Sequence, residues 1–386
     1  MKNNERLYLD VHVLQTVPPS CVNRDDTGSP KTAVYGGVTR ARVSSQSWKR
    51  AMRAIFMEEL PYERQSVRTK YLVKMIAQLA RERGADEDVA EKATALLNEI
   101  GLGTEAVKKE KKKKKDSRLG SADLLDNLEE DTEPDYENLK VLFYLSQAQA
   151  AALTDHILSA PKPSKNEAQR ILKASSGVEV ALFGRMVADN KELGVDAAAQ
   201  VAHSLSTHQV DNEYDYFTAV DDLKPEDSAG AGHIGTVEFN SSTLYRYGTL
   251  AVHALRDNLV QGTAQAARAF VDAFVRSMPT GKQNTFANRT LPHAVLVCLR
   301  TDQPINFCGA FERPVRAGDG GYAAPSASSL VAHAQQVYDD FAGAPALSLV
   351  AGRGLDALAQ PQPFKALLDN LEQELEARLQ QMAGQA

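Results

Sequence analysis

Seven cations, Arg24, Lys31, Arg40, Arg42, Lys49, Arg50 and Arg53, fall inside the stretch PPSCVNRDDTGSPKTAVYGGVTRARVSSQSWKRAMR at 18–53. They alternate with turn formers and hydroxyls, and the stretch runs into Ser44-Ser45-Gln46, a helix-start pattern. Lysine and arginine supply charge, the two serines and Gln46 supply neutral hydrogen bonds, and backbone N–H groups at a helix start supply an oriented anion site. Helical spacing puts Lys49 and Arg53 on one side of that helix, one turn apart. This is the composition of a phosphate-backbone reader, and by itself it does not choose between RNA and DNA.

The same stretch holds one adjacent carboxylate pair, Asp25 and Asp26. Such a pair can hold Mg²⁺ for phosphodiester cleavage, or it can pair with Arg24 or Lys31 and shape the loop. Both readings stand at this point. Elsewhere the chemistry is sparse. No GxxxxGK[ST], GxGxxG, HExxH or GxSxG motif occurs. The eight histidines are dispersed, and only His203 and His208 approach ligand spacing; they are expected to be structural. Cys21, Cys298 and Cys308 are too few and too scattered for a disulfide framework, so a reducing cytoplasm fits best.

The elements that must position these residues follow from patterning. In RLYLDVHVL at 6–14, Leu7, Leu9, Val11 and Val13 share one face and Tyr8, Asp10, His12 and Leu14 the other, as in a strand. A long loop bearing Gly28, Pro30, Gly36 and Gly37 follows; loops of that length inside a domain are usually functional. A helix capped by Ser44 or Ser45 then runs to about Leu60, with Trp48, Met52, Ile55 and Phe56 as its apolar stripe and Trp48 in the core.

Residues 62–193 read as almost wholly helical, with no strand, as an insertion would. They contain a lysine run at 108–115 that is either a solvated loop or an electrostatic arm, and a second basic patch, Lys162, Lys165, Arg170 and Lys173, that is either a nucleic-acid contact or a solvated helix face. Residues 203–247 suggest a hairpin arm rich in acids, which cannot lie along a phosphate backbone. Thr263–Val275 reads as a helix, 293–300 as a buried strand, 301–326 as irregular, 329–342 as a helix, 343–363 as irregular, and Phe364 to about Met382 as a terminal helix. The order predicts an α+β, ferredoxin-like domain with an insertion and an arm.

Length and composition agree with a large soluble chain. The 386 residues carry a hydrophobic fraction of 43% and a formal net charge of −6. That charge excludes a protein that coats nucleic acid non-specifically, so any nucleic-acid site must be a local groove. Neither a signal peptide nor a transmembrane run is apparent, and no cofactor is expected.

The runs CVNRDDTGSPKTAVYGGVTRARVSSQSWKRAMR (21–53), ALFGRMVAD (181–189) and STHQVDNEYDYFTAVDDL (206–223) together resemble the CasC family. This is the repeated backbone subunit of the type I-E CRISPR Cascade complex, of the RAMP superfamily. The resemblance spans about residues 5–60 and 175–300; 61–174 and 301–386 match no motif. It implies an RRM-like palm beginning at 1–61, helical fingers at 62–193, a return to the palm at 194–206, a thumb hairpin at 207–238, and the rest of the palm with C-terminal helices at 239–386. By the same resemblance Lys31, Ser44, Gln46, Lys49, Arg50 and Arg53 grip the guide RNA, and Asn23, Arg24, Arg40, Arg42 and Ser45 of the same basic stretch are candidate RNA contacts beside them. Met186 and the thumb residues Phe217, Thr218, Val220, Leu223, His233 and Ile234 wedge between bases, so that guide and target pair in short segments. Lys162, Lys165, Arg170 and Lys173 are the candidate target-DNA contacts.

The implied partners are the guide RNA, target DNA, further copies of the chain, and the large, small, 5′-handle-binding and guide-processing endonuclease subunits. The implied role is non-catalytic. Backbone subunits of the related type III complexes cleave RNA with an aspartate, so a metal-dependent ribonuclease using Asp25 and Asp26 is the alternative.

Overall fold

A computed structural model of the protein describes residues 6–85, 88–106, 136–174, 177–187, 190–219, 233–259 and 261–384. The chain divides into two units, Met1–Leu60 with Ala197–Ala386, and Pro61–Asp196. The first opens with β1 (Tyr8–Ser20), β2 (Thr32–Tyr35), β3 (Val38–Val43) and α1 (Ser45–Glu59). The second comprises β4 (Ser66–Thr69), α2 (Leu72–Glu82), α3 (Val89–Glu99), β5 (Thr104–Glu105), β6 (Asn138–Leu139), β7 (Phe143–Ser146), α4 (Gln147–Ser159), α5 (Lys165–Ala174) and α6 (Val178–Phe183). The chain returns through β8 (Ala199–Val201), β9 (Ser204–Ser206), β10 (Glu213–Ala219) and β11 (His233–Ala251). It ends with α7 (Val252–Asn258), α8 (Thr263–Arg276), α9 (Gln283–Phe286), β12 (Ala294–Arg300), α10 (Ala323–Val337), β13 (Leu347–Gly352) and α11 (Phe364–Gly384).

β1 lies between β11 and β12 and is antiparallel to both. The sheet order is β13-β12-β1-β11-β9-β3-β2, with β8 and β10 also pairing on β11. The segment holding α1 leads from β1 to β8 and β9 on the far side of β11, and α8 leads from β11 to β12 on the far side of β1. Two split β–α–β units therefore interleave in one antiparallel sheet, as in a ferredoxin-like fold.

Both faces of β1 are covered, which its alternating sequence already required of one. Val13 pairs with Arg246, whose guanidinium sits 3.7 Å from the Trp48 ring centroid and 4.8 Å from that of Phe274. Val11 pairs with Gly248, where a Cβ would meet the rings of Phe270 and Phe274. This face is thus closed by α1 and α8. On the other face His12 stacks on Phe307 at 4.6 Å, and Leu14, Tyr245, Leu296, Phe311 and Leu330 form one apolar cluster with α10. Burial lowers the His12 imidazole pKa to about 3, so this ring is neutral in the folded protein.

The second unit departs from the all-helical expectation. β4 pairs with β7 and β5 with β6, four strands of two to four residues each. Segments that short carry no readable period, and each finds its partner tens of residues away. In the first unit the apparently irregular 343–363 holds β13, and α10 begins at Ala323, where Pro325 and three serines hide a helix start. The lysine run at 108–115 lies outside the described residues.

Candidate nucleic-acid interface

The loop after β1 folds on its own side chains. The Asp25 carboxylate Oδ1 accepts from the Thr27 N–H at 2.9 Å, the Thr27 hydroxyl at 2.7 Å and the Ser29 N–H at 3.0 Å. The Thr27 hydroxyl, joined by the loop's backbone N–H groups against an opposing desolvation, holds the Asp25 carboxyl below the usual aspartate range. Asp25 is therefore a turn-former, tied to Thr27 and Ser29 and not to Arg24 or Lys31. Among the described residues no three His, Cys, Asp or Glu side chains converge. The loop closes where Lys31 N–H donates to the Asn23 carbonyl at 2.8 Å.

Ser44 caps the helix as its sequence predicts, and Asn23 has a structural role that its sequence did not reveal. Asn23 Oδ1 accepts from the Ser44 N–H at 2.9 Å, and Ser44, buried, accepts from the Ser47 N–H as the N-cap of α1. Loop and helix start are thereby one piece. Ser45 is half-buried beside the exposed Gln46. What read as an unbroken loop contains the β2–β3 hairpin, turned by Gly36 (φ 59°) and Gly37 (φ 79°) in the left-handed region that a tight two-residue turn demands. The Gly-Gly between two runs of alternating residues was the available signal.

The hairpin also corrects the role expected for Arg40. Its side chain is fully buried, and the guanidinium donates to the carbonyls of Tyr35, Ser206, Phe311 and Glu312 at 2.8–3.3 Å. It staples the hairpin to the sheet and presents no charge to a ligand. Arg42 donates to the Thr32 carbonyl and lies 3.1 Å from His203 Nδ1. Because a guanidinium only donates, that nitrogen accepts; burial first, then the charges of Arg42 and Lys31, hold His203 below its usual pKa. Lys31 and Arg42 border a small pocket with Asn240 and Ser242. His208 stacks on Tyr322 and accepts the Thr243 N–H, so both histidines serve the fold.

Helix α1 buries Trp48, Met52 and Phe56, and Trp48 Nε1 donates to Ser204 Oγ at 2.9 Å. At about 100° per residue, Ser47, Arg50, Ala51 and Ala54 fall on the opposite side. They face a cleft of about 780 Å³ whose other borders are the loop 22–28 and residues 279–282. Lys49 and Arg53 lie between the cleft face and the core stripe, and burial lowers the Lys49 pKa. The cations at the cleft are Arg24, Arg50 and Lys282. Lys282 was missed, although Pro279-Thr280-Gly281-Lys282 is a turn that presents a lysine. Its φ of 46° is one of two positive values at non-glycine residues among those described. Gly281 backs directly on β1's exit: a Cβ there would lie 2.1 Å from the Val22 carbonyl oxygen.

The arm is a continuation of the sheet. β11 pairs with β10 from His233↔Ala219 to Phe239↔Glu213, then with β1 from Asn240↔Ser20 to Ala251↔Tyr8. Tyr214 and Tyr216 share one exposed face, and Phe217 lies over Gly235, where a Cβ would come within 2.4 Å of its ring. Thr218 is exposed. Val220 and Leu223, and the side chains of His233 and Ile234, lie outside the described residues.

In the second unit Met186 is 92% exposed. Its neighbour Arg185 is buried, donates to the carbonyls of Tyr144, Leu172 and Leu193 at 2.9 Å each, and stands 4.7 Å from the Phe143 ring centroid. That anchor holds the loop so that Met186 projects outward. On α5, Arg170 pairs with Glu167 at 2.6 Å and Lys173 with Glu192 at 3.8 Å, while Lys162 and Lys165 are exposed.

The profile of the CT1975-like protein family matches residues 9–377. A subunit of a solved "CRISPR RNA-guided surveillance complex, pre-nicking" is 34% identical, with 95% of this chain and 99% of that chain covered and a TM-score of 0.74. A subunit of a "CRISPR RNA-guided surveillance complex" is 26% identical over 95% and 99% of the two chains, with a TM-score of 0.59. No curated protein matches the chain. Among the described residues no helix is long and apolar enough to cross a membrane.

Proposed function

This chain belongs to the CT1975-like protein family, and we propose that it is the guide-RNA-binding backbone subunit of a type I-E Cascade surveillance complex. The observation that carries the reading is the cleft where Arg24, Arg50 and Lys282 converge in a chain whose net charge is −6. Three cations at a polar cleft beside a helix start suit a phosphate backbone, and in this reading none of them reads a base. A protein that must accept any guide sequence needs that indifference, with sequence read by base pairing.

The arm supplies the second part of the proposal. Phe217, held over Gly235, and the exposed Met186 are apolar groups able to wedge between bases, which would divide the guide–target duplex into short segments. Lys162 and Lys165, with the ion-paired Arg170 and Lys173, would contribute a diffuse attraction for target DNA. Copies of the chain would repeat along one guide in the company of the other Cascade subunits.

In this reading the chain is a scaffold and not an enzyme. Asp25, the first carboxylate of the ribonuclease alternative, serves the loop's own N–H and hydroxyl donors. The chain co-expressed with a guide and the partner subunits should purify as a large assembly holding small RNA. A stable RNA-free monomer under those conditions would overturn the proposal. Incubating the assembly with complementary RNA and Mg²⁺ should leave that RNA intact; cleavage abolished by Asp25→Ala or Asp26→Ala would establish the ribonuclease instead.

A further inference from the structure

The charge pattern of the cleft contains an inconsistency for a plain phosphate site. Three cations, Arg24, Arg50 and Lys282, border it, but so do two carboxylates. Asp25 is accounted for, since its Oδ1 accepts three hydrogen bonds from its own loop. Asp26 lies within that turn, but its side chain is exposed and makes none of the turn's hydrogen bonds. A carboxylate accepts hydrogen bonds and cannot donate them, so it repels a phosphate oxygen beside it. The one donor that a nucleic-acid backbone offers is the ribose 2′-hydroxyl, which DNA lacks.

We propose that Asp26 accepts the 2′-hydroxyl of the strand held in this cleft, and that the cleft thereby selects RNA over DNA. The inference rests on the guide-RNA reading above and adds to it a residue that sets backbone chemistry. The arrangement combines attraction with rejection. Arg24, Arg50 and Lys282 draw in either backbone, whereas Asp26 offsets its repulsion only when a hydroxyl is present to donate to it. Asp26 is thus a specificity residue at the sugar, one position away from the residue that shapes the loop.

The test measures binding of the full-length chain to one sequence made as RNA, as DNA and as 2′-O-methyl RNA, by fluorescence anisotropy at a fixed salt concentration. The wild type should bind RNA about tenfold more tightly than DNA, the size expected of one partly exposed charged hydrogen bond. The 2′-O-methyl strand, which keeps the RNA-like sugar but has no donor, should bind like DNA. Asp26→Ala should weaken RNA binding and strengthen DNA binding, bringing the ratio close to one, and Asp26→Asn should fall between. Equal binding of RNA and DNA by the wild type would overturn the inference while leaving the guide-binding reading intact. So would 2′-O-methyl RNA binding like RNA, or Asp26→Ala lowering both affinities together, the mark of a merely structural residue. Binding of neither strand would sink the guide-binding reading and the inference with it.

Discussion

Two basic regions lie among the described residues, and the fold treats them in opposite ways. In 24–53, a loop closed by Asp25, a hairpin turned on Gly36 and Gly37, and a capped helix are hydrogen-bonded into one piece, so Arg24 and Arg50 reach a shared cleft from different elements. In 162–173 the cations follow a single helix and its lead-in, and two of the four are paired with nearby acids. The second region is the denser in cations, four in twelve residues against seven in thirty. What separates a site from a solvated face is convergence of charges held by backbone and caps, since paired or scattered surface cations contribute little.

The largest expected effect tests whether membership of the first region is enough. Arg40→Ala should lower the unfolding free energy by about 3 kcal/mol or more, because four carbonyls lose their donor, as read by denaturant unfolding. If that variant kept its stability and lost only RNA binding, Arg40 would be a ligand and the distinction drawn here would fail. Next, Arg50→Ala and Lys282→Ala should each weaken guide binding roughly three- to tenfold for every guide sequence. Each should also flatten the salt dependence by about 0.7 in log–log slope. An effect that changed with sequence would argue for base contacts.

Smaller effects concern the joint and the second region. Asn23→Ala removes the acceptor for the Ser44 N–H and should cost about 1 kcal/mol of stability, with reduced amide protection at the start of α1. No change there would mean that the loop and helix are independent. Lys162→Ala with Lys165→Ala should alter DNA affinity of the assembled complex less than about twofold. A tenfold loss would promote that helix to a true site.

Much of the frame could be read from sequence because its signals are local. The alternation in 6–14, the Ser44 cap and the Trp48, Met52 and Phe56 stripe all act over a few residues; α1 appears where its pattern places it, and β1 begins where its alternation does but runs on to Ser20, into the stretch that reads as a loop. The site was half readable. Residue type marked the basic stretch, but only tertiary pairing reveals that Arg40 is enclosed by Ser206, Phe311 and Glu312, or that Lys282 arrives from far along the chain. Short strands such as β5 and β6 left no periodic trace, since two residues cannot show one.

Gly281 turns the cleft into a gauge. Its backbone rests on the carbonyl of Val22, with no room for even a methyl group, so the borders that carry Arg24 and Lys282 are seated backbone against backbone. A side chain at 281 would wedge those borders apart, so their spacing depends on the glycine there. In the assembly proposed above, identical borders would hold successive stretches of the guide to the same calibre, as the teeth of a rack set the pitch of what they engage.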